Sequence, residues 1–98
     1  MRLSFPDQFI WGSSTAAAQV ETAGAHPWRG MRALDGCVFE RTTDHELRRD
    51  EDAAIIARFG AIYRCGVDWS RLQTEPFAKF DSKVVAEYAD FFTDLKSR

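Results

Sequence analysis

The sequence predicts an α/β fold made of parallel strand–helix units, on three observations. A short apolar run from Phe9 to Ser13 ends abruptly in Gly12-Ser13-Ser14. A second such run, Ile62 to Val67, follows a segment with helical period. A second amphipathic helix then lies between Asp81 and Leu95. Strand, helix, strand, helix in alternation implies parallel βα units, which close as right-handed crossovers.

Each element has its own warrant. Phe9 to Ser13 reads as a buried strand running into a tight turn. From Ala23 to Thr42 no period emerges; Gly24, Pro27, Gly30 and Gly36 punctuate the segment, and Trp28 and Phe39 interrupt it. A loop of that length is uncommon in a compact domain and is often functional. Thr43-Asp44-His45-Glu46 fits a capping box, with the Thr43 hydroxyl accepting from the Glu46 amide. Leu47, Ala54, Ile55 and Phe59 then fall on one helical face, and Gly60 offers a left-handed stop. Asp44, Glu46 and Asp50 crowd the positive end of the helix macrodipole. In the second strand, Ile62, Arg64 and Gly66 share one face and Tyr63, Cys65 and Val67 the other. Trp69 to Leu72 reads as a turn or helical hook, and Gln73 to Phe80 as an irregular link with Pro76 inside it. Asp81 caps the last helix, whose stripe is Val84, Tyr88, Phe91, Phe92 and Leu95.

Composition narrows the function. The 98 residues suit one domain, and 45% hydrophobic with 13% aromatic content is globular rather than disordered. A formal net charge of -2 leaves no basic face for nucleic acid. No apolar stretch approaches the roughly 20 residues that span a bilayer, and the amino terminus lacks a secretory h-region. Cys37 and Cys65 have no Cys-x-x-Cys spacing and no histidine cluster beside them. They read as free thiols in a reducing compartment, with the cytoplasm as default, and neither a metal nor a cofactor is expected. His26 and His45 stand at no ligand or triad spacing and read as surface residues.

Two ordered blocks go further. Phe5-Pro6, Phe9, Trp11-Gly12 and the run Ser13-Ser14-Thr15-Ala16-Ala17-Ala18-Gln19-Val20-Glu21 form the first; Tyr63-Arg64-Cys65-Gly66-Val67-Asp68-Trp69-Ser70-Arg71-Leu72 is the second. Together they resemble family 1 of the glycoside hydrolases, the β-glucosidase family. The first resembles its opening, Phe-Pro-x-x-Phe-x-Trp/Phe-Gly-x-Ala/Ser-Thr-Ala/Ser-x-x-Gln-x-Glu, and the second its Tyr-Arg-Phe-Ser-Ile-x-Trp-Ser-Arg-Ile. The resemblance implies that residues 1–98 are the amino-terminal part of a single barrel domain, the βαβα quarter of a (β/α)8 TIM barrel. The chain departs from the family at Thr22, where a glycine follows Gln-x-Glu. It departs again at Asp44 to Asp52, where two tyrosines of Asp-x-Tyr-x-Arg-Tyr-x-Glu-Asp are missing.

The resemblance also assigns roles. Read alone, Gln19 is a turn amide bonding its own backbone. As the glutamine of the family motif, it bonds hydroxyls of the sugar nearest the scissile bond, its amide offering donors on one side and an acceptor on the other. Read alone, Arg64 is an edge-strand arginine snorkelling to solvent. The family's matching arginine holds the nucleophile carboxylate, keeping it ionised and oriented. Glu21 ties the strand-to-loop corner; Trp11 and Trp69, read on their own chemistry, are packing residues rather than sugar platforms. Trp28 either stacks on a sugar in an outer subsite or anchors its loop.

Retaining glycosidases need two carboxyls about 5–5.5 Å apart. The family draws these from Asn-Glu-Pro and Glu-Asn-Gly motifs, and neither occurs in this chain. Asp68 and Glu75 are the acids nearest a barrel mouth, yet neither lies in such a motif. The expectation is therefore a β-glycosidase whose nucleophile and acid/base lie downstream, with a small carbohydrate or glycoside as substrate and an inactive 98-residue chain. Two alternatives stand beside it: a non-catalytic, self-associating sugar- or protein-binding module, and a transglycosylase on the same barrel.

Overall fold

The computed structural model describes residues 1–21 and 26–98. The departure at Thr22 and the loop glycine Gly24 lie outside the described residues.

Two strands carry the fold. β1 (Gly12–Thr15) and β2 (Ile62–Cys65) pair in parallel, with Gly12 opposite Ile62 and Thr15 opposite Cys65. This is the βαβ pairing that the alternating pattern demands. β1 begins three residues later than the apolar run. The Phe9 amide donates to the Pro6 carbonyl at 2.9 Å, a turn that keeps Phe9 out of the ladder. The rings of Phe5, Phe9 and Trp11 instead cluster on the surface, with centroids 4.5 to 4.9 Å apart.

Between the strands lie α1 (Ala17–Val20), a 3-10 turn at His45–Leu47, and α2 (Arg49–Ile56). The capping box does not form as expected. Asp44, left-handed at φ 56°, precedes the turn, and the Thr42 and Thr43 hydroxyls donate to the Val20 carbonyl at 3.1 and 3.5 Å. The apolar face of α2 is also rotated from expectation. Leu47, Ile55 and Phe59 are exposed, whereas Ala53 is fully buried and Arg49, Asp52 and Ile56 are half-buried. Ala53 lies one turn from Arg49, which reaches Glu87 of the last helix, so the side of α2 turned to that helix is buried rather than the side with the largest apolar side chains. Gly60 also acts differently from a helix stop. α2 ends at Ile56 with Ala57 still right-handed, and Gly60 has φ 145° where a Cβ would fall 2.2 Å from the Trp11 carbonyl oxygen. Only glycine fits there.

After β2 come α3 (Trp69–Leu72) and α4 (Ser82–Ser97). Asp81 caps α4 as the sequence predicts, its Oδ1 accepting from the Lys83 and Val84 amides at 2.9 and 3.2 Å. Phe91 is buried; Val84, Tyr88 and Leu95 are half-buried, and Phe92 is exposed.

The helices cover one face of the sheet. Ser13, Thr15, Tyr63 and Cys65 are partly buried on that side, and the Thr15 and Tyr63 hydroxyls meet at 2.5 Å. Gly12, Ser14, Ile62 and Arg64 on the other side are exposed. The chain presents 8022 Å² to solvent, whereas a compact protein of its mass presents about 5,700 Å². Its radius of gyration, 16.3 Å, likewise exceeds the roughly 13 Å of a compact 100-residue domain. This is an open slab.

Candidate functional site

Gln19 sits on α1, the single turn that follows β1, and so stands just beyond that strand's carboxyl end. Its amide donates to the Ala16 carbonyl at 2.9 Å, while its exposed side chain makes no hydrogen bond among the described residues. Arg64 lies opposite Ser14 in the ladder and points to the uncovered face, its guanidinium in no ion pair among the described residues. One residue past β2, the Gly66 amide donates to the Thr15 carbonyl at 3.2 Å. A Cβ at Gly66 would meet the Ala17 nitrogen at an ordinary 3.7 Å, so glycine is tolerated there rather than required. The two sugar-site candidates thus lie on α1, just past β1, and on the neighbouring strand β2, and among the described residues no hydrogen bond joins them to each other or to Trp28.

Trp28 belongs to a loop with more order than its composition suggests. Arg32 and Val38 form an antiparallel bridge, and the Gly30 and Phe39 amides donate to the carbonyls of Phe39 and Met31 at 2.9 and 3.0 Å. At its tip Asp35 Oδ1 accepts from the Cys37 amide at 2.9 Å, which holds the Asp35 carboxyl below its usual range. The Trp28 ring rests 6.2 Å from that of Phe39 and stays about half exposed. The Asp35-Gly36 dipeptide was the available sequence signal for this turn.

Beneath the corner that carries Gln19 runs a network that the sequence does not announce. Glu21 is buried and accepts from Arg71 Nη1 at 2.5 Å. The Tyr88 hydroxyl donates to the same carboxylate at 2.7 and 2.8 Å, and itself accepts from the Asp68 amide at 2.9 Å. Arg71 Nη2 continues to Glu87 at 2.7 Å, where Arg49 Nη2 also donates at 2.8 Å. Burial, reinforced by the carboxylate of Glu21, pushes the Tyr88 phenol well up. Arg49, with Arg71 behind it, holds the Glu87 carboxyl below its ordinary value. Glu21 thus ties the corner structurally, as its place in the motif suggests. Tyr88, read as one member of an apolar stripe, turns out to be the polar hub.

Other assignments change. His45 is buried rather than on the surface: its Nδ1 lies 2.6 Å from Asp52 Oδ2 and its ring stands edge-on to Phe91 at 4.8 Å. In one continuous helix an i, i+7 pair shares a face but stands about 10 Å apart along the axis; the break between the 3-10 turn and α2 lets His45 and Asp52 meet. Asp68 is buried and caps α3, its Oδ1 accepting from the Ser70 amide and hydroxyl at 2.9 and 2.6 Å. Glu75 is exposed on the link to α4. Trp69 packs edge-on to Phe80 at 5.6 Å and donates through Nε1 to Gln73 at 3.1 Å.

The sequence model described as "Glycosyl hydrolase family 1" matches residues 1–98. The chain belongs to glycosyl hydrolase family 1. Among its family 1 relatives, an aryl-phospho-β-D-glucosidase of Bacillus subtilis is 32% identical over 96% of this chain, and a thermostable β-glucosidase B of Thermobispora bispora 36% over 71%. The solved structure of a family 1 β-glucosidase from Humicola insolens, in complex with glucose, superposes with a TM-score of 0.69 at 28% identity. It is matched over 98% of this chain and 23% of its own length. An aphid myrosinase shares the fold, with a TM-score of 0.72 at 24% identity over 97% of this chain and 24% of that one. These neighbours are barrel enzymes, so the strand–helix units described above are part of a barrel. The chain spans 22% of the length of the Bacillus relative.

Proposed function

We propose that residues 1–98 form the amino-terminal βαβα quarter of the barrel of a retaining β-glycosidase, and that they position sugar rather than cleave it. Gln19 bonds substrate hydroxyls, and Arg64 orients the nucleophile carboxylate supplied by a later strand. The observation that supports this most is the shared placement of these two polar side chains. Gln19 stands at the carboxyl end of β1, where barrel enzymes build their sites, and Arg64 lies on the uncovered sheet face. A guanidinium there, in no ion pair among the described residues, fits a carboxylate brought in from outside them. The substrate class is a β-glycoside, in line with relatives named as β-glucosidases and as a 6-phospho-β-galactosidase of Lacticaseibacillus casei.

The chemistry requires two carboxyls across the scissile bond, one as nucleophile and one as acid/base. Neither motif that supplies them occurs in the 98 residues. Pure 98-residue chain is expected to give no turnover of p-nitrophenyl β-glucoside, while the protein made from the whole reading frame that contains it releases p-nitrophenol with retained anomeric configuration. Turnover by the short chain would overturn the division of labour. A reading frame that closes after Arg98, with a chain that self-associates, would replace the enzyme with the binding module.

A further inference from the structure

The geometry points to Arg71 and Tyr88 as positioning residues for Gln19, acting through Glu21; this rests on the reading of Gln19 as a sugar contact. α1 is one turn long, and its N-cap residue Ala16 offers no side-chain cap. A helix of that length has no stability of its own. Its carboxyl end is held from outside. The Glu21 amide donates to the Ala17 carbonyl at 2.8 Å, the Thr42 hydroxyl donates to the Val20 carbonyl, and the Glu21 carboxylate is gripped by Arg71 and Tyr88. Arg71 comes from α3, immediately after the strand that carries Arg64. Its two-pronged guanidinium therefore fastens the corner after β1 to the corner after β2, and the second prong runs on to Glu87 on α4, which Arg49 of α2 also holds. Gln19 is two residues from a carboxylate pinned by two other elements, although its own side chain has no hydrogen bond among the described residues.

A buried ion pair is a poor device for stability alone, because desolvation offsets most of its attraction and apolar packing does as well. Its distinctive asset is geometry. The planar fork of arginine fixes two carboxylates at once, which the flexible ammonium of lysine does not. A fixed α1 delivers Gln19 to the sugar in one orientation, so less freedom is lost when substrate binds.

The test is a double-mutant cycle in the active protein that carries this chain, read as kcat/KM for p-nitrophenyl β-glucoside. Arg71→Lys and Tyr88→Phe are expected to lower kcat/KM by about tenfold beside Gln19 and by less than about twofold in a Gln19→Ala background, since both then act on a contact already removed. Equal losses in both backgrounds would overturn the inference and leave only a structural role. An unchanged kcat/KM in Gln19→Ala alone would instead sink the sugar-contact reading. A second measurement avoids activity altogether. Amide hydrogen exchange on the same active protein should show Gln19 and Glu21 losing protection in Tyr88→Phe while the α4 amides keep theirs; unchanged protection at both would overturn the clamp whatever the kinetics.

Discussion

His45 Nδ1 and Asp52 Oδ2 lie 2.6 Å apart, one on the 3-10 turn and the other on α2, with Phe91 of α4 edge-on to the imidazole. The pair welds two short helical pieces into one platform and seats it on the last helix. Removing the acceptor leaves a buried imidazole nitrogen without its partner, at a cost of about 1–3 kcal/mol. Asp52→Ala should therefore lower the unfolding free energy of the chain by that amount in guanidinium titration. Asp52→Asn, which keeps an acceptor, should cost clearly less. Equal losses would mean that the hydrogen bond contributes little.

Gly60 and Gly36 make a matched comparison. Both have positive φ, 145° and 89°, but a Cβ on Gly36 meets nothing within 4 Å whereas one on Gly60 would collide with the Trp11 carbonyl. Gly36→Ala should cost about 1–2 kcal/mol, from backbone conformation alone. Gly60→Ala should cost more than that, or prevent folding, because the α2–β2 link must also retreat from β1 and break the Ala61 to Trp11 hydrogen bond. Thermal melts of the two variants decide it.

Tyr88 predicts a weakness at alkaline pH. Its phenol is pushed up in the folded chain by burial and by donation to Glu21, so the native state holds this proton where the unfolded chain has released it. The unfolded chain then binds fewer protons, and stability falls as pH rises above the ordinary tyrosine value of about 10. Below that value the contribution is fully present. The denaturation midpoint measured from pH 8 to 11 should drop above pH 10, and less steeply in Tyr88→Phe. Tyr63, also raised by burial, leaves a residual slope.

Arg64 yields a prediction in the active protein. A cation beside the nucleophile keeps that carboxylate ionised, so Arg64→Met should raise its pKa and move the acidic limb of the kcat/KM profile to higher pH. The loss at neutral pH should be about 10- to 100-fold and fall mainly on kcat. A profile that drops without moving would assign Arg64 to packing.

Much of this was legible without coordinates. The Asp81 cap, the burial of Phe91 and the alternation of elements depend on neighbours within a few residues, and the family on motifs that the residue types themselves spell. The parallel pairing of β1 and β2 followed from the alternation too. Strand boundaries did not, because the turn at Pro6 and the Trp11 carbonyl decide where the ladder begins.

The sequence by itself determined what the elements are and which family they belong to. The tertiary structure alone decided which faces meet. Ala53 rather than Ile55 became the buried position of α2, because it shares a face with Arg49, which reaches Glu87 of α4. His45 went inside because Asp52 and Phe91 were waiting there, and Glu21, Arg71, Glu87 and Tyr88 became one network although Glu21 lies 67 residues from Tyr88. Charges so far apart in the chain have no local signature. Only folding the two strands side by side brings their corners within hydrogen-bond reach.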